Sequence, residues 1–130
     1  MNDEFRARLA EATKMLADAK SLNAIGKHGA AMKLAYEVSE YAAAAYLSGV
    51  TGQNLWPNDA TYDLFAKTIQ EPNRHPSLLP EDISTISAIC VLREAYEPAL
   101  LDETTPQDAQ QMIDHVAALA ELVAKIAKNL

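Results

Sequence analysis

The stretch TPQDAQQMIDHVAALAELVAKIAKNL, residues 105–130, decides the fold. Thr105 suits a helix cap, Pro106 takes the first helical position, and Asp108 stands where a capping-box acid reaches back to the cap. From there Ala109, Ile113, Val116, Ala120, Val123, Ala127 and Leu130 recur in alternating steps of three and four, the spacing of one helix face. Met112, Leu119 and Ile126 widen that face beyond a two-helix seam. So broad an apolar surface predicts a central bundle helix or a subunit contact.

The same reading extends outward along the chain. A first helix is predicted from about Asp3 to Leu22, capped by Asn2 or Asp3, with Phe5, Leu9, Ala12, Leu16 and Ala19 on its core face. A second runs from about Lys27 to Ser48, with Gly49 and Gly52 as stops. Its stripe of Ala31, Ala35, Val38, Ala42 and Ala45 lets a neighbouring helix approach closely. A short third helix, capped by Asn58 or Asp59, carries Tyr62, Phe65 and Ile69 inward. The fourth starts near Pro80 and stops before or near Pro98, which places Leu100 just beyond it. Two loops intervene. One holds Trp56 and Pro57; the other holds Pro72, Arg74, His75 and Pro76 and reads as solvated. Short connections make sequential long helices antiparallel neighbours. The expected architecture is an all-α, up-down-up-down four-helix bundle with one short accessory helix, a single domain over residues 1–130.

Composition narrows the function. Only 4 glycines and 6 prolines occur in 130 residues, consistent with helices. The net charge of −7 argues against broad nucleic-acid binding, and no DNA partner is expected. No apolar run approaches the roughly 18 residues of a membrane span, and the opening residues do not read as a signal peptide. A single cysteine, Cys90, excludes an internal disulfide and reads as a small core hydrophobe. The setting expected is reducing and cytoplasmic. The spacing of His28, His75 and His115 offers no metal site, and no Glu-x-x-His pair, phosphate loop or nucleophile elbow is present. No cofactor, metal or catalytic residue is assigned. Tyr36, Tyr41 and Tyr46, stepping about 140° each, cannot share one stacking face.

One residue departs from the pattern. Arg93 falls on the apolar stripe of Ile86, Ile89, Cys90, Tyr96 and Leu100. Burying its charge costs several kcal/mol unless it is paired. It therefore has a carboxylate partner, faces another subunit, or lines a site. Glu97 lies one turn later, and Glu37 and Glu40 lie across the bundle. The antiparallel arrangement would bring Lys27, His28, Lys20 and Lys33 to the same pole, among several acids. Arg93, Tyr96, Glu37, Glu40, His28 and Lys27 are the ligand or interface candidates.

The segment AYEVSEYAAAAYLSG, residues 35–49, resembles the second-helix signature of HEPN domains (higher eukaryotes and prokaryotes nucleotide-binding). VLREAY, residues 91–96, followed by a long amphipathic helix, is similar to that family's second half. The resemblance implies a four-helix core, frequent homodimers, association with nucleotides or RNA, and toxin–antitoxin pairing with a minimal nucleotidyltransferase. Catalytic members carry a histidine separated from the arginine by four to six intervening residues. Here Pro98, Ala99 and Leu100 occupy those positions, and none has a side chain that transfers a proton. The expected function is thus a noncatalytic HEPN-like module, a homodimer, binding a nucleotide, RNA or a protein partner. The alternative is an RNA-cleaving HEPN ribonuclease or toxin using an atypical acid or base such as His28 or Tyr96.

Overall fold

The structure is a computed structural model describing residues 3–72, 74–75 and 78–127. Asn2 as an alternative cap, Pro76 in the second loop, and Leu130 with the side chain of Ala127 at the end of the last stripe lie outside the described residues. Five α-helices follow in order: α1 (Asp3–Ala24), α2 (His28–Thr51), α3 (Asp59–Ile69), α4 (Pro80–Glu94) and α5 (Pro106–Ala127). A 3-10 segment, Pro98–Glu103, joins the last two. Every regular element among the described residues is helical, so the chain is an all-α helical bundle.

Local chemistry sets the helix ends. Asn58 caps α3 by accepting from the Thr61 amide at 2.9 Å. Asp82 accepts from the Leu79 amide at 2.9 Å, and Pro80 opens α4. At α5 the Asp108 amide donates to Thr105 Oγ1 at 3.1 Å, and the Thr105 amide approaches Asp108 Oδ2 at 3.4 Å. Gly49 does not stop α2, contrary to the sequence reading. The helix runs to Thr51 and ends at Gly52, whose φ of 74° lets its amide return to the Ser48 carbonyl. A glycine costs a helix interior only about 1 kcal/mol, which the packing around it offsets.

Helices α1, α2 and α5 pack against one another; α3 lies on α2, α4 on α5, and the 3-10 segment on α2. Ala31, Ala35, Val38, Ala42 and Ala45 are fully buried, as the small-residue stripe predicts. Burial then widens to Ala43, Ala44, Tyr46 and Leu47, so the later part of α2 is covered on more than one side. The short α3 is part of the core. Its Tyr62 and Phe65 are among the largest fully buried side chains, and the Tyr62 hydroxyl donates to the Ile86 carbonyl of α4 at 3.2 Å.

The 3-10 segment removes Leu100 from the Arg93 stripe. Helix α4 ends at Glu94, and Leu100 is 51% exposed. The segment instead presses its backbone onto the start of α2, where a Cβ at Gly29 would collide with the Leu101 carbonyl. Gly29→Ala should therefore lower stability by about 1–3 kcal/mol in chemical denaturation. A variant as stable as the parent would show that this approach is not close.

Candidate functional site

Arg93 stands in the last turn of α4, where its charge complements the helix dipole. It is buried, with 6% of its side chain exposed. The guanidinium crosses from α4 to α2 and α3. Its Nη1 donates to Ser39 Oγ at 2.7 Å and to the Tyr36 carbonyl at 3.4 Å. Its Nη2 donates to Glu40 Oε2 at 3.3 Å and also to Asp59 Oδ1. The Tyr36 and Tyr62 rings lie 4.1 and 4.5 Å from the guanidinium carbon, both within cation–π range. Such a planar fork suits several acceptors at once, which an ammonium would not.

A second layer of contacts surrounds this cation. Ser39 Oγ donates to the Tyr36 carbonyl at 2.6 Å, which orients its oxygen toward Arg93. The Tyr36 hydroxyl donates to Asp59 Oδ1. The Tyr36 ring also stacks on Tyr96, with centroids 4.0 Å apart and planes at 23°. Asp59 opens α3, where the amide ends favour an anion, and most of its side chain is solvated.

The pKa directions follow burial. Desolvation is the main cause raising Glu40 above the usual carboxylate range. Attraction to Arg93 opposes it, and repulsion from Asp59 and Glu37 adds to it. The Tyr36 phenol is pushed up by burial, then by its bond to Asp59. Tyr62 is raised chiefly by burial, and Tyr96 by burial and then by the charges of Glu37 and Glu40. These phenols stay protonated at neutral pH, and those of Tyr36 and Tyr62 act as donors.

A shallow cavity of about 240 Å³ opens beside the cluster, lined by Tyr36, Asp59, Tyr62, Asp63, Arg93 and Glu94, with the half-buried Cys90 at its wall. Three of the lining side chains are carboxylates and one is a cation. That balance repels phosphate. No group of three metal-ligating side chains occurs among the described residues.

The structure brings together Arg93, Glu40 and Tyr96 of the expected set. Tyr96 joins through its stack on Tyr36 rather than through the guanidinium. Glu37 is half-buried, and no hydrogen bond to Arg93 is found for it. Glu97 is exposed, and its backbone carbonyl accepts from the Leu100 amide. Lys27 and His28 do not reach Arg93, contrary to the pole argument. They sit at the start of α2 with Leu101 and Asp102, about 12 Å along the helix from Tyr36. His28 Nδ1 is held by Asn23 Oδ1 at 2.5 Å. The solvated loop is half correct. Arg74 is exposed and pairs with Glu71 at 2.7 Å, but His75 Nε2 pairs with the hydroxyl of the buried Tyr46 at 2.6 Å. Asp59, Ser39, Tyr36 and Tyr62 were missed as partners of Arg93. Asp59 carried a legible signal only as a helix cap.

Arg93→Met should cost about 3–5 kcal/mol, because it leaves the largely buried Glu40 without its cation. Asp59→Asn should cost less, since Asp59 is 75% exposed and recovers hydration. Equal losses by thermal or urea unfolding would place Asp59, not Glu40, at the centre. The raised Glu40 carboxyl also sets a pH trend. Its contribution is fully present below the ordinary value of 4.5 and is lost as pH rises through the higher folded value. Glu40→Gln should therefore gain stability relative to the parent between pH 4.5 and pH 7. A relative loss over that window would mean that Arg93 outweighs burial.

Compared with known protein families, with curated proteins and with solved structures, the chain matches none.

Proposed function

We propose that this chain is a noncatalytic, HEPN-like helical-bundle module that works by protein association, first of all with a second copy of itself through α4. The observation that carries this reading is the face of that helix. From Ile83 to Leu92, ten consecutive residues carry no charge, in a chain with a net charge of −7. A helix face without charged residues needs less hydration than a charged one and is more readily covered. Here Ile83 is 39% exposed and Val91 is 64% exposed, with Ser84 and Ser87 also in solvent.

The pattern is self-complementary. A two-fold axis through Ser87 sets Ile83 against Val91 of the partner subunit, because each lies four residues from the axis. The small side chains Ser84, Ser87 and Ala88 permit close approach at the crossing. The uncharged strip is also where two acidic copies repel least.

Two further observations support a noncatalytic role. Pro98, Ala99 and Leu100, at the family's histidine positions, are exposed and side-chain inert toward protons. Arg93 is already engaged by two carboxylates, so binding RNA phosphate there would displace them.

Light scattering after gel filtration should give twice the 14.1 kDa chain mass for the parent protein. Ser87→Glu, with unchanged helical circular dichroism, should give the single-chain mass. A parent that stays monomeric at the highest soluble concentration overturns the homodimer, and a dimeric Ser87→Glu overturns the role of α4. RNA incubated with the protein should remain intact. Cleavage that survives repurification and disappears in a folded Arg93→Lys variant would make the chain a ribonuclease.

A further inference from the structure

A separate cleft of about 350 Å³ opens between the end of α4, the 3-10 segment and the start of α5. That is the lower end of the size range of small-ligand sites, roughly 300–1,000 Å³. Its floor is apolar and adaptable. Met112 is fully buried, and Met32, Leu92 and Leu101 are half-buried beside it. Methionine side chains fill irregular gaps and re-pack around flexible chains.

The mouth is different in kind. Glu97, Glu103 and Asp108 line it and are all exposed, and they come from three successive parts of the chain. Lys, Arg and His are absent from the lining. Tyr96 adds an aromatic ring to the wall, a surface that attracts organic cations.

An apolar floor lined by three carboxylates and no cation disfavours two ligand classes. Anions meet only like charge. A bare divalent ion would need clustered oxygen ligands, and no such group of three exists among the described residues. The lining best suits a cation that carries its own hydrocarbon, since the carboxylates add attraction that a neutral chain lacks. We infer that this cleft binds a linear aliphatic polyamine, its methylene chain along Met32, Leu92 and Met112 and its ammonium groups at Glu97, Glu103 and Asp108. The alternation of methylene spacers and charges matches a floor and rim of opposite character. This inference does not depend on the association through α4.

Isothermal titration with spermidine tests it, with 1,8-octanediol as an uncharged chain and magnesium chloride as a cation without hydrocarbon. The expected result is saturable binding at one site per chain for spermidine alone. The double variant Glu97→Gln/Glu103→Gln should weaken binding at least tenfold. The double variant Glu11→Gln/Glu121→Gln, which removes equal charge outside the cleft, should leave it within twofold. Equal weakening by both pairs, equal binding of magnesium, or no saturable binding of spermidine would overturn the proposal.

Discussion

The guanidinium of Arg93 is the constraint on which the arrangement of α2, α3 and α4 depends. Helix α4 packs its backbone on α5, and its polar link to α2 is made by one long side chain. That side chain passes between Tyr36 and Tyr62 and ends on Ser39, Glu40 and Asp59. A charge in such surroundings tolerates few alternative geometries, because each lost acceptor exposes a desolvation penalty. Apolar contacts around it would allow sliding. The network therefore fixes how α3 and α4 sit relative to α2.

The same network limits chemistry. A cation held by Glu40 and Asp59, with its π faces occupied by tyrosines, is a structural group before it is a ligand site. The neighbouring phenols are raised by burial and remain donors. The acid that is out of its ordinary range, Glu40, is raised by its burial more than Arg93 lowers it. Charge elsewhere follows one theme. Carboxylates line the cleft at the end of α4, and one side of the uncharged length of α4, with Ile83, Ser84, Ser87 and Val91, faces solvent. Surfaces of that kind favour cations and apolar partners over phosphate.

Much of the fold was legible because helix signals are local. Thr105, Pro106 and Asp108 marked the start of α5, and Asn58 marked α3, through side chains that reach only three residues. The alanine stripe of α2 showed which face would be approached closely. Gly49 misled because a glycine stops a helix only where the backbone turns left-handed, and that turn falls at Gly52. The inward face read for α3, with Tyr62, Phe65 and Ile69, is buried in the structure. The helix's 11 residues are few, but two of them are aromatic and fully buried.

From its sequence alone the chain declared an all-helical class, its helix faces, and a buried arginine that required a carboxylate, a partner subunit or a site. These follow from periodicity and from the cost of an unpaired charge, which operate wherever the helix is placed. Only the tertiary structure chose Glu40 and Asp59 over Glu97 and Glu37, stacked Tyr96 on Tyr36, and separated Lys27 and His28 from Arg93. Those choices turn on how far each helix is displaced along its neighbour. A shift of one helical turn, about 5.4 Å, exchanges one partner for the next, and no local spacing in the sequence records it.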